Sequence, residues 1–403
     1  MPPRMNTGPT SRVASFFLGA LAALLVIVVF GQVSFAWTGV DLRLPYKIAE
    51  RALVLLWIGC LAFPFGRTTL PYRFRPPDLA LVLFALAAAL SVLLGGGHWG
   101  DVRNLLAAIA IGWLARTLFG APHRRGLLLH YLGGTVVLIL VRELIAQPDL
   151  LLLREHNRYG LVTGNPNMLG FLFAMTSPLF LAAALGAHRA RRRAAGLYFP
   201  AAVLGVLLTF SRTAAFGLAL GAVITALGLE RRGRALAWGA LALALFLALQ
   251  RPDLWTGERR PGDADRPRIV RTSLSLFSDA PILGIGFGIN NIEERFPARY
   301  EALYGARLFR FHSANQLVDL LVGTGIIGTA LALWWAAWVG RDALSRRRSA
   351  HGRPARIHAA GQLAALATIA AMSFAEPPLY HGKLLPILFL VLACTELPAN
   401  EDE

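Results

Sequence analysis

Residues Leu197–Leu229 read LYFPAAVLGVLLTFSRTAAFGLALGAVITALGL, an apolar run whose one charged side chain is Arg212. As a single helix it would be about 50 Å long at 1.5 Å per residue, against about 30 Å of bilayer hydrocarbon. One crossing would also put the cluster Arg189, Arg191, Arg192 and Arg193 opposite the cluster Arg231, Arg232 and Arg234, against the bias of basic loops to one membrane side. Two spans folded at Ser211-Arg212 remove both conflicts. The fold places Arg212 at the mouth of two helices, away from both clusters.

The whole chain supports a membrane setting. It has 403 residues, 56% hydrophobic and 16% charged, with a mean hydropathy of +0.54, which excludes an ordinary soluble domain. The net charge of +17 sits largely in short clusters between apolar runs, so it reads as a topology signal and no nucleic-acid partner is expected. Cys60 and Cys394 each lie within an apolar run, leaving no disulfide framework and no thiol metal site. The first run, Val13 to Ala36, follows Arg4 and Arg12 and ends in the poor cleavage sequence Ser34-Phe35-Ala36. Longer than a typical signal-peptide core, it is expected to be a retained first span.

At roughly 20 apolar residues per crossing, twelve spans are expected: 13–36, 51–66, 78–95, 104–120, 126–146, 167–187, 195–210, 213–229, 235–250, 316–339, 357–375 and 384–397. With that count the clusters at Arg67, Arg73 and Arg75, at Arg116, Arg124 and Arg125, at 189–193, at 231–234 and at 341–356 all share the N-terminal side. The expected fold is therefore an all-α integral membrane protein of about twelve transmembrane helices with both termini cytoplasmic. Residues 1–250 form spans one to nine, 251–315 a long external loop containing short helices, and 316–403 the last three spans with a cytoplasmic tail.

The external loop carries the chemistry. It holds ten arginines and eight acids between residues 251 and 315. Arg266, Arg268 and Arg271 precede an amphipathic segment, Ile269–Phe277, followed by Pro281-Ile282-Leu283-Gly284-Ile285-Gly286-Phe287-Gly288. With no preceding strand or following helix expected, these glycines are no dinucleotide site. They suit a sharp bend or a close backbone approach. His312 stands at the junction of this loop with the span beginning near Gln316, and imidazole is the natural base near neutral pH. His381 is a secondary candidate. The external loop before the sixth span adds Arg158, Asn165 and Asn167 as substrate contacts, with Asn165 or Asn167 capping the helix that Pro166 enters. No metal-ligand spacing such as His-Glu-x-x-His and no acidic pair stands out, so metal-free, cofactor-free chemistry is expected. Planar guanidinium groups facing a bilayer suit a lipid phosphate or pyrophosphate. A preorganised arginine would stabilise the charge on a departing pyrophosphate. Together with a histidine base, these describe glycosyl transfer to an alcohol.

At this point the chain resembles the O-antigen ligases, within the superfamily of membrane polysaccharide ligases and polymerases. The resemblance rests on Gly160 … Gly164-Asn165-Pro166-Asn167-Met168-Leu169-Gly170 entering a span, Ser211-Arg212 at a helix turn, and Arg266 ahead of Pro281–Gly286. It continues with His312 ahead of Gly325-Ile326-Ile327-Gly328. It implies transfer of O-antigen from undecaprenyl pyrophosphate to a lipid A core sugar, at the periplasmic face of the bacterial inner membrane, without a metal and with inversion. It also implies that Arg212 and Arg266 hold the pyrophosphate and that His312 activates the acceptor hydroxyl. Val270 replaces the aromatic residue common four positions after the loop arginine, so Arg268 rivals Arg266. Ala314 replaces a frequent second histidine.

Two alternatives stay open. A polymerase or protein O-oligosaccharyltransferase of the same superfamily would share the site; the chain's end at Glu403, soon after its last span, is expected to set it apart from the protein-directed relatives. A non-enzymatic lipid or solute transporter would be expected to show repeats or helices broken within the membrane.

Overall fold

The computed structural model describes residues 74–119, 125–146, 165–186, 189–228, 235, 266–306, 308, 315–382 and 384–396. The expected spans 13–36, 51–66 and, beyond Ala235, 235–250 lie outside these residues, as do Arg158 and His312. Among the described residues there are eleven α-helices and no strand. They are α1 (Pro76–Gly95), α2 (Gly100–Phe119), α3 (Arg125–Ala146), α4 (Pro166–Gly186), α5 (Arg189–Thr209), α6 (Arg212–Ala226), α7 (Arg266–Asp279), α8 (Ile289–Tyr304), α9 (Gln316–Ser349), α10 (Arg353–Ser373) and α11 (Leu385–Glu396). Five of them, α1, α2, α3, α4 and α9, are long and apolar enough to cross a membrane.

The long apolar run divides where expected. α5 ends at Thr209, Phe210 turns the chain at φ +49°, and the Ser211 hydroxyl caps α6 by accepting the Ala214 amide at 3.3 Å. Both α5 and α6 pack on α4, and α6 also packs on α10. Small residues let these backbones approach, as is common where no water drives helices together. Gly217 lies against Met372 and Thr368, and the Thr368 hydroxyl donates to the Gly217 carbonyl at 3.0 Å.

Contacts at the helix ends test the expected parity. At one end, buried Asp78 of α1 accepts from the Arg75 amide at 2.9 Å, from the Trp113 indole at 3.1 Å and from Arg116 of α2. At the same type of end, Gly186 of α4 meets Ile357 and Pro354 of α10, Gly228 after α6 meets Ala360 and Arg356, and Arg346 donates to the Thr395 carbonyl at 2.9 Å. The arginine clusters among the described residues thus belong to helix ends that pack with one another. The turns they alternate with gather at the opposite end of the bundle.

α9 departs from expectation. It runs to Ser349 rather than 339, and it is broken at Gly325, whose φ of 64° and ψ of −167° suit glycine alone. The peptide groups freed by the break are taken up by the glycine segment after α7. The Ile285 and Gly286 amides donate to the Val322 and Gly323 carbonyls at 2.9 and 3.1 Å, and the Ile326 and Ile327 amides donate to the Pro281 and Ile282 carbonyls at 2.9 and 3.3 Å. A helix does follow the glycines, contrary to the sequence reading, since Gly288 caps α8; α7 precedes them and no strand does. The broken helix is the feature a transporter would use, but here its backbone groups are bonded to this segment, as buried irregular backbone requires.

A Cβ at Gly325 would overlap the Ile282 carbonyl. Gly325→Ala is therefore expected to destabilise the fold by at least about 2 kcal/mol, from backbone strain and loss of this docking. A lowered melting temperature of the purified protein in detergent would show it; an unchanged melt would mean the segment is not clamped to α9.

Candidate functional site

The end of the bundle opposite the arginine clusters is assembled from separate turns. Asn165 accepts the Asn167 amide in its side chain at 2.9 Å and so caps α4, where Pro166 takes the first helical position. Gly170, one turn in, lies against Ala214, Thr209 and Ser211, which puts the α4 start beside the α5–α6 turn and Arg212. Arg212 is exposed in the first turn of α6, where the unbonded amides of a helix start add positive potential.

From α4 the site extends to the segment after α10. The Asn167 carboxamide donates to the Glu376 carboxylate at 2.6 Å, and Glu376 is only 4% exposed. Three residues on, the Leu379 amide donates to the Gln316 side-chain carbonyl at 2.8 Å, and the Tyr380 hydroxyl donates to the Asp319 backbone carbonyl at 2.8 Å. Asn315 caps α9, accepting from the Leu317 and Val318 amides at 2.9 and 3.3 Å. The start of α9, four residues after His312, thus packs on the turn that leads through Glu376 and Asn167 to α4 and the α5–α6 turn.

Tyr380 ties this turn to the glycine segment. Its ring stacks on Phe287 at 4.9 Å, and the Phe287 amide donates to Ser91 of α1 at 2.9 Å. Burial pushes the Tyr380 phenol well up, with the Asp319 and Asp101 carboxylates adding to the effect. The hydroxyl therefore stays a neutral donor at physiological pH, and Tyr380 serves as a bolt rather than a base.

The loop arginines lie on α7, where Ile269, Thr272, Ser273 and Leu276 are buried, giving the amphipathic helix the spacing predicts. Arg268 and Arg271 are exposed. The Arg268 guanidinium stands over the Tyr304 ring at 5.4 Å, a cation–π contact, and α8 is held to α7 further along by an Arg299–Asp279 pair. Arg266 begins the helix. α7 packs on α8 and α9, whereas Arg212 heads a helix packed on α4 and α10. His312 lies in the chain between α8 and α9 and falls outside the described residues.

Sequence reasoning missed Glu376. Its signal was a lone carboxylate between an apolar helix and Pro377-Pro378, in a connection read only for its lack of basic residues. It also missed Arg142 and Glu143, buried and paired at 2.9 Å in the last turn of α3, because they look like interruptions in an apolar run. Among the described residues, no three His, Cys, Asp or Glu side chains gather as a metal centre requires.

The fold and this rim define a multi-helix membrane protein with a polar, arginine-bearing site at one end of the bundle. Residues 197–333 match the family model described as O-antigen ligase. The match takes in Arg212, the loop arginines, the glycine segment, the break in α9 and the position of His312. No curated protein matches the chain.

Proposed function

We propose that this chain transfers O-antigen polysaccharide from undecaprenyl pyrophosphate to a sugar hydroxyl of lipid A core, at the periplasmic face of the bacterial inner membrane. The observation that supports this reading is the packing of the turn carrying Arg212 on α4, whose Asn167 bonds Glu376 in the connection that in turn bonds the start of α9, at the end remote from the arginine clusters. By the charge rule that end is periplasmic and both termini are cytoplasmic. Residues 251–315 form the catalytic loop between the membrane segments 1–250 and 316–403.

In the proposed mechanism Arg212 and one loop arginine, with Arg266 the first choice and Arg268 and Arg271 its rivals, bind the pyrophosphate. His312 takes the acceptor proton as the hydroxyl oxygen attacks the anomeric carbon. The bond from that carbon to the pyrophosphate oxygen breaks with inversion, and the leaving charge rests on the guanidinium groups. Arg158, Asn165 and Asn167 contact substrate. No metal takes part, so activity should persist in chelator.

A strain lacking the gene should make core-only lipopolysaccharide and accumulate lipid-linked glycan. A deletion that instead leaves one glycan repeat on the core would replace this reading with a polymerase, and unaltered lipopolysaccharide would refute both.

Glu376 enters as a positioning residue that orients Asn167. Glu376→Gln weakens a charge-assisted bond, and bonds of that kind are worth about 1.5–3 kcal/mol. The expected result is a roughly tenfold fall in kcat with donor KM little changed, while Asn167→Ala shows the same fall and the double variant no more. Additive losses would mean that the two side chains act separately.

A further inference from the structure

We propose that the apolar slot between α9, α10 and α11 holds the prenyl chain of the lipid donor, with Gln316 receiving its first phosphate; this rests on the reading of the rim as a glycosyl-transfer site. The slot encloses about 430 Å³, within the range of ligand sites. Its wall follows α10 from Leu363 to Phe374, roughly 17 Å at 1.5 Å per residue and so more than half of a bilayer core of about 30 Å. Along α9 it continues from Gln316 past Trp335 to Gly340. A slot of this volume drawn out along the helices suits a single extended chain.

Its upper end is polar at two side chains, Ser373 and Gln316. The Ser373 hydroxyl is spent on the Ile369 carbonyl at 2.7 Å. Gln316 differs. It is 6% exposed and its Oε1 is bonded to the Leu379 amide, but its Nε2 has no hydrogen-bond partner. A buried donor left in this state is costly, and the residue that carries it lines the head of the apolar slot. An acceptor oxygen joined to an apolar chain satisfies both features.

The chemistry of transfer selects which chain. In the donor, only the pyrophosphate separates the reacting anomeric carbon from the first isoprene unit, so a slot opening directly at the rim matches it. In a glycolipid acceptor, the acyl chains are set off from the acceptor hydroxyl by the core sugars, and several chains must be housed together. Bulk phospholipid also carries paired chains.

The test uses the full-length protein in nanodiscs containing phosphatidylglycerol, with labelled undecaprenyl pyrophosphate and farnesyl pyrophosphate as binding probes. Wild-type protein should prefer the longer probe at least tenfold. Ala336→Phe and Ala367→Phe, which narrow the slot, should cut that preference below threefold, with an unchanged melting temperature in detergent reporting intact folding. Gln316→Leu should weaken both probes about tenfold. A photo-crosslinking side chain at position 366 should capture undecaprenyl pyrophosphate and not be blocked by excess phosphatidylglycerol. An unchanged preference in the narrowed variants, absence of the crosslink, or equal competition by phosphatidylglycerol overturns the proposal. Prenyl binding without glycan transfer would keep the slot and discard the transferase, whereas transfer indifferent to prenyl length would do the reverse.

Discussion

Replacement of His312 by alanine is expected to lower glycan transfer by about 10²–10⁴-fold, the usual worth of general-base assistance, without loss of the protein from the membrane. The motive is positional. His312 lies three residues before Asn315, whose side chain caps α9, and that helix start packs on the turn running to Glu376 and Asn167. In the proposed mechanism this residue takes the proton of a hydroxyl presented at the rim. Donor affinity should be nearly unchanged, since the imidazole acts on the acceptor. The acid limb of the pH profile, which reports a base that must be unprotonated, should disappear in the variant. Retention of that limb with a comparable rate would move the base elsewhere, with His381 the next candidate.

Arg212→Ala should cost a further large factor, on the order of 10²–10³ in kcat, as found when a preorganised donor to a developing anion is removed. Arg212 is exposed and the α6 cap is supplied by Ser211, so stability should hardly move. Arg212→Lys keeps the charge and loses the planar fork that grips two phosphate oxygens. It should therefore recover only part of the activity, and undecaprenyl pyrophosphate should inhibit it less strongly than it inhibits the wild type. Full activity in the lysine variant would rule out bidentate recognition by this residue.

A charged side chain between apolar helices seldom faces lipid, and the turn that carries Arg212 packs through Thr209, Ser211 and Ala214 on Gly170 of α4. Arg268 is engaged with Tyr304 while Arg271 is exposed one turn on, so substitution of each in turn is what distinguishes them from Arg266.

Hydropathy and the placement of arginine determined by themselves that this chain is helical, with helices long and apolar enough to cross a membrane, and that the run around Ser211 folds in two. These features are local: span length, a capping serine and charge in a short loop need no distant partner to be recognised. The break in α9, the pairing of its backbone with residues 281–286, and the burial of Glu376 against Asn167 were decided only by tertiary structure. Gly325 is one glycine among many until the Pro281 and Ile282 carbonyls arrive to bond the amides its break releases. Glu376 is a loop carboxylate until a carboxamide 209 positions away in the chain meets it. Unsatisfied polar groups in an apolar setting find partners by proximity in space, and that proximity is written in the packing of helices.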